Sequence, residues 1–159
     1  MAMARVPDKS DETENSHRLE SSLLASDLEF LTARARAVGT RKANKWLEPL
    51  GLKARDFAVL SLVCTNEKPS QRELADFLSL DASQVVALVD SLEKKKLIER
   101  KTDPRDRRSN ILVPTSQGLI HFEKSQIAID NAREESLSGL THNERDELKR
   151  LLTLMAFKN

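Results

Sequence analysis

The sequence predicts a mainly α-helical fold interrupted once by a small β-hairpin. Three observations carry that reading. Apolar residues recur at helical spacing along most of the chain, and two boxes of the Ser/Thr-x-x-Glu type, at Ser70–Glu73 and Thr141–Glu144, mark helix starts. Between Leu97 and Pro114 the period changes to two short β-leaning runs, LIERKT and SNILVP, separated by the Pro-broken loop DPRDRR.

Taken in order, residues 1–16 read as a flexible tail, because they lack any apolar period. Leu23, Leu24, Leu28, Leu31, Ala35 and Val38 predict a long amphipathic helix over 17–38 that ends near Gly39, with a short second helix over 40–48 before Pro49 and Gly51. From Lys53 onward, Phe57, Leu60, Ser61 and Cys64 continue a helical face until TNEKPS breaks it at Pro69. Ser70 then opens a short helix with Leu74, Ala75 and Leu78 inward. After the turn Leu78-Ser79-Leu80, Asp81 caps a further helix whose Val85, Leu88, Val89 and Leu92 fall at i, i+3, i+4 and i+7. Two short helices across a tight turn, followed by a hairpin, make a winged helix-turn-helix over about 53–114. Thr115 begins another helix with Ile120, Ile127 and Leu137 on one stripe. The terminal helix after Thr141 places Leu148, Leu151, Leu152 and Met155 inward.

Composition narrows the function classes. At 159 residues with 39% apolar content, the chain is read as one domain, spanning 17–159. The single cysteine, Cys64, forbids an intrachain disulfide and suits a reducing, cytoplasmic setting. No apolar run reaches the ~20 residues that span a bilayer, so no membrane partner is expected. His17, His121 and His142 lack ligand spacing, so no metal and no cofactor is expected. With no nucleophile–base pairing and no Gly-rich phosphate loop, an enzyme is not expected either.

Net charge is only +1, yet it is laid out in blocks. Residues 94–108 hold eight basic residues against three acids, and residues 31–47 hold five basic residues and no acid. Concentrated cations bind a polyanion locally whatever the total charge. In a winged helix the second short helix enters a groove of DNA and the hairpin reaches the neighbouring backbone or minor groove. The helical wheel leaves Ser83, Ala87, Asp90, Ser91 and Lys94 outward with Gln84 on the flank. Gln84 suits a bidentate contact to adenine, and Ser83 suits a base or a phosphate. Ser70 and Gln71 stand at the start of the first short helix, close enough to serve the same surface. Arg105, Arg107 and Arg108 occupy the wing tip, where guanidinium groups enter a narrow groove or fork onto phosphates. Asp103 and Asp106 alternate with them and orient the wing, with Asp106 holding one arginine in place while another reaches DNA. The bland alternative is a self-neutralising turn.

SQRELADFL, the run Leu88-Val89-Asp90-Ser91-Leu92-Glu93-Lys94-Lys95, Leu97-Ile98-Glu99-Arg100, and a D-x-R-D-x-R wing followed by Pro114-Thr115-x-x-Gly118 together resemble the MarR family of bacterial transcription regulators. The resemblance covers residues 53–118 and, less distinctly, the flanking helices. It implies a homodimer whose N- and C-terminal helices, about 17–48 and 115–157, intertwine while the wings flank a pseudo-palindromic operator. Three positions depart from the pattern. Lys96 stands where relatives usually have Gly, which implies a left-handed residue or a different cap at the helix end. Val86 and Ala87 stand where many relatives place Thr and Arg, so base reading leans on Gln84, on thymine-methyl contacts and on the wing.

MarR-like regulators commonly release DNA on binding small aromatic acids or phenols. Arg34, Arg36, Trp46 and Phe57 are the candidate cations and aromatic walls for such an effector here. The expected function is therefore a ligand-released repressor. Redox sensing through Cys64, and a winged helix that binds protein instead of DNA, stand as alternatives.

Overall fold

The computed structural model describes residues 19–157. The expected tail over 1–16 and His17 lie outside the described residues. The chain divides into two compact units with the boundary between Val38 and Gly39.

In the first unit, residues Leu23–Ser26 form a 3-10 turn, and Asp27 then starts a helix by accepting the Phe30 N–H on Oδ1 at 2.8 Å. This helix, α1 (Leu28–Leu47), runs on through Gly39. Two expectations are thereby corrected: residues 20–27 are turn, and the separate helix over 40–48 does not exist. An interior glycine costs a helix only about 1 kcal/mol, and the helix-forming residues after it outweigh that penalty. The chain stops being α-helical at the 3-10 turn Glu48–Leu50, where Pro49 occupies the first turn and Gly51 adopts φ 67°.

The second unit continues with α2 (Ala54–Val63), α3 (Gln71–Leu78), α4 (Ala82–Lys94), the antiparallel hairpin β1 (Ile98–Thr102) and β2 (Asn110–Pro114), α5 (Ser116–Ser136) and α6 (His142–Phe157). The hairpin register runs from Ile98 opposite Pro114 to Thr102 opposite Asn110. Val59, Leu60 and Val63 of α2, Leu74 of α3, Val85, Val89 and Leu92 of α4, and Leu97, Ile98 and Leu112 of the hairpin form one core with Leu47 and Leu52. The inward face of α2 is thus displaced from the expected Phe57, Ser61 and Cys64, which are only half-buried, because neighbours surround α2 on most sides.

The larger correction concerns the last two helices. α5 turns Gly118, Ser125, Ala128 and Ala132 inward, while Ile120 and Ile127 of its apolar stripe are exposed. α6 buries nothing at all: Leu148, Leu151, Leu152, Leu154, Met155 and Phe157 are all exposed. Leu23, Leu24, Leu28 and Leu31 in the first unit are exposed as well. Apolar periodicity marks these faces correctly, but the described residues leave them largely exposed, with Phe157 stacked on Phe77 of α3 at 6.0 Å between ring centroids.

Candidate nucleic-acid interface

The helix-turn-helix is α3, a three-residue turn and α4. Ser70 caps α3: its Oγ accepts the Glu73 N–H at 3.3 Å, and Glu73 Oε2 accepts both the Ser70 N–H and the Ser70 hydroxyl at 2.7 Å. Those two bonds hold the Glu73 carboxyl below its usual range. Ser79 makes the turn by taking a left-handed conformation, φ 51°, and Asp81 starts α4. On α4, Ser83, Gln84, Val86, Ala87 and Lys94 are exposed and Ser91 is half-exposed, as the helical wheel requires. Gln84 carries a second task that the wheel did not reveal: its Oε1 accepts the Asp81 N–H at 3.3 Å and closes the first turn of α4.

The wing tip is organised by its two acids. Asp103 is buried and chelates Arg105, with Oδ1 accepting the Arg105 N–H at 2.9 Å and Nε–H at 3.1 Å while Oδ2 accepts an NH2 proton at 3.1 Å. The Arg105 side chain, then its backbone, hold that carboxyl below the usual aspartate range. Asp106, expected to hold an arginine, instead accepts the Arg108 backbone N–H on Oδ1 at 2.9 Å, and Asp103 holds the arginine side chain. Arg105 is therefore largely neutralised. The Arg107 and Arg108 guanidinium groups make no ion pair with any described residue.

Sequence reasoning missed Arg100. From β1 its guanidinium reaches Asp90 and Glu93 on α4, and its Nε–H donates to Gln71 Oε1 on α3 at 3.0 Å. Glu93 Oε1 also accepts the Arg100 N–H at 3.1 Å. One half-buried cation thus fastens α3, α4 and the wing together and masks two acids on the α4 surface. Its presence in the Leu97–Arg100 run was the only signal.

A second joint lies at the wing base. Lys96 ends α4 with φ 60°, its N–H donating to Glu93 O at 2.8 Å while the Leu97 N–H donates to Leu92 O at 3.0 Å. This is a Schellman ending with lysine in the place that glycine usually fills, as the departure at this position implied. Thr115 then docks α5 on the same point: its N–H donates to Leu97 O at 3.1 Å, and its Oγ1 donates to Lys96 O at 2.7 Å and accepts the Gly118 N–H at 2.9 Å.

Comparison with known proteins identifies this arrangement. The MarR family model matches residues 50–109. A MarR-family transcriptional regulator from Rhodococcus sp. RHA1 superposes with a TM-score of 0.81 at 32% identity, covering 87% of this chain and 99% of that one. The chain belongs to the MarR family. CouR from Rhodococcus jostii RHA1, solved with p-coumaroyl-CoA, is similar at 33% identity and a TM-score of 0.78 over 87% of this chain and 98% of CouR. A putative transcriptional regulatory protein for the hcr operon of Thauera aromatica is 29% identical over 130 residues, which are 81% of this chain and 78% of that protein. This MarR-family chain is accordingly a winged helix-turn-helix transcriptional regulator and not an enzyme. No helix among its described residues is long and apolar enough to cross a membrane.

The structure also places the effector candidates of this MarR-family protein. Trp46 donates its Nε1–H to Glu135 Oε2 at 3.0 Å, and the Lys42 ammonium donates to Glu135 O at 2.7 Å, so Trp46 braces the end of α1 against the end of α5. Phe57 stacks on Phe122 with ring centroids 6.1 Å apart. Arg34 and Arg36 are exposed on the first unit. None of the four lines the open groove of about 830 Å³ between Asn44–Asp56 and α4. Its cations are Lys45, Lys53, Arg55 and Lys95, and its α4 wall is Gln84, Ala87, Leu88 and Ser91. Cys64 sits half-buried where α2 ends, and burial pushes its thiol up to about 11. His121 Nε2 lies 2.8 Å from Leu50 O and His142 pairs with Asp146 at 3.4 Å. Among the described residues no group of three His, Cys, Asp or Glu is placed to hold a metal ion.

Proposed function

We propose that this regulator is a homodimeric repressor that reads a pseudo-palindromic operator in double-stranded DNA and leaves it on binding a small aromatic or phenolic acid. The DNA reading rests on one observation: Arg107 and Arg108 stand exposed and unpaired on a tip whose shape Asp103 and Asp106 maintain. A backbone held in that way presents the two cations to phosphate or a narrow minor groove, so that only their side chains remain to be ordered on binding. Ser83, Ser91 and Lys94 serve the adjoining backbone, and Val86 and Ala87 meet thymine methyl groups. Ser70 acts through the cap that positions Gln71.

The exposed apolar faces of α5 and α6 support the homodimer, since such faces in a water-exposed helix pair call for a second surface. Two-fold symmetry sets the two recognition helices roughly 34–36 Å apart. For the effector, the cleft beside α4 offers the cations of Lys45, Lys53 and Arg55 to a carboxylate or a phosphate, and the CouR ligand is an anionic aromatic thioester. An occupant there also covers Gln84, Ala87 and Ser91, so ligand and DNA compete for one wall.

The test is fluorescence anisotropy on duplex DNA from upstream of the protein's own gene and on random duplex, with p-coumaroyl-CoA and free p-coumarate titrated into each. Specific, salt-sensitive binding that either compound reverses supports the reading. Equal affinity for both duplexes defeats the operator, and indifference to both compounds together with an unchanged melting temperature defeats this effector class.

A further inference from the structure

Both glutamines on the reading surface have their carbonyl ends occupied. Gln84 Oε1 accepts the Asp81 N–H at 3.3 Å, and Gln71 Oε1 accepts the Arg100 Nε–H at 3.0 Å. The opposite amide orientation would set donor against donor at each place, so the chemistry of the partner fixes which end is which. Arg100 is itself held by Asp90 and Glu93. The amide nitrogens of both glutamines make no hydrogen bond to a described residue. Two donor hydrogens are thus presented outward at the first turn of α3 and again at the first turn of α4.

We infer that Gln84 reads DNA as a donor only and therefore selects guanine, not the adenine that a free glutamine would take. This rests on the proposed operator binding. In the major groove guanine offers two acceptors, O6 and N7, which match the two hydrogens of one amide nitrogen. Adenine sets the N7 acceptor beside the N6 amino donor, and pairing with both needs the Gln84 carbonyl to face the groove, whereas its bond to the Asp81 N–H turns it back onto the first turn of α4. Cytosine presents its N4 donor and is rejected, while thymine supplies a single acceptor, O4. The nearby carboxylate of Asp90, which would otherwise welcome a cytosine amino group, is drawn to Arg100. Gln71, restrained in the same way, donates to a phosphate or to a neighbouring acceptor.

The substitution Gln84→Glu separates this reading from a purely structural role. A glutamate keeps the oxygen that caps Asp81, so α4 and the melting temperature are retained, but it replaces the outward donors by an acceptor. The experiment is selection from a randomised duplex library with the full-length native protein and with Gln84→Glu, comparing base preferences position by position, because the added charge lowers affinity for every duplex alike. The expected result is guanine at one symmetry-related pair of positions for the native protein, changing to cytosine in the variant by about tenfold or more in relative preference. Adenine at the responding position, or no position that responds, overturns the inference while leaving operator binding intact. A native protein that enriches no sequence at all removes operator binding itself, and the inference with it.

Discussion

Replacing Gly118 by alanine tests the joint between α4, the wing and α5. A Cβ at residue 118 would lie 1.8 Å from Leu97 O and 2.9 Å from Leu97 C, where ordinary contacts begin at 3.4 Å. Both atoms are backbone, so no rotamer change relieves the clash, and the start of α5 must retreat by about 1.6 Å, the difference between those distances. That retreat breaks the bonds from the Thr115 N–H to Leu97 O and from Thr115 Oγ1 to Lys96 O. Two hydrogen bonds at about 1 kcal/mol each, with about 1–3 kcal/mol for overpacking and about 1 kcal/mol returned by the helix propensity of alanine, leave a net loss of about 2–4 kcal/mol. In a chain of this size that lowers the melting temperature by roughly 5–15 °C. The assay is thermal and urea unfolding at one fixed protein concentration, with Gly139→Ala as the control, because a Cβ there meets nothing within 4 Å. A Gly118→Ala protein within about 1 kcal/mol of the native one refutes the close approach.

Three further outcomes follow from the same structure. Lys96→Gly relieves a left-handed lysine at the end of α4 and stabilises the fold by about 1 kcal/mol in urea unfolding; a loss of stability would contradict the strain. Arg107→Ala weakens binding to all duplexes and flattens the dependence of log K on log salt by about one unit per protomer, whereas Arg105→Ala, whose cation Asp103 already neutralises, has the smaller effect. Equal slopes for the two variants would sink that distinction. Cys64, its thiol pushed up to about 11 by burial, reacts with a disulfide reagent at pH 8 about tenfold more slowly in the native protein than in unfolded chain, because the loss of thiolate outweighs that thiolate's greater nucleophilicity, and a native rate equal to or above the unfolded rate would restore the redox reading.

Features set by neighbours three or four residues apart were legible before any coordinates. The Ser70–Glu73 and Thr141–Glu144 boxes, the Thr115 start of α5, the hairpin and the turn before Asp81 all stand where the local pattern put them. At Lys96 the family pattern left open a left-handed residue or a different cap, and the structure has the left-handed one. Features set by distant partners were not legible. Trp46 and Glu135 are 89 residues apart, and Arg100 and Gln71 are 29 apart, and no periodicity reports such pairs. Periodicity likewise names an apolar face without naming what covers it, which is why Leu148, Leu151, Leu152 and Met155 of α6 were expected inward and are exposed, as are Ile120 and Ile127 of the α5 stripe. Gly39 misled for the converse reason: a glycine weakens a helix without ending it.

Charge makes the same point at the site itself. The basic segment 94–108 carries eight cations, but four of them have acids within reach: Lys95 with Asp56, Arg100 with Asp90 and Glu93, Lys101 with Glu99, and Arg105 with Asp103. The four that remain are Lys94, Lys96, Arg107 and Arg108. Two of these lie at the end of α4 and two at the wing tip, so the free charge sits at two places on the reading surface instead of along the whole segment. The paired cations still matter to DNA, by another route. Arg100 removes two acids from the α4 surface that would repel phosphate and Arg105 is bound up with the buried Asp103, so the acids of this region bear on which arginines are free as much as on the total. A chain with a net charge of +1 can present a positive reading surface because its pairing is selective.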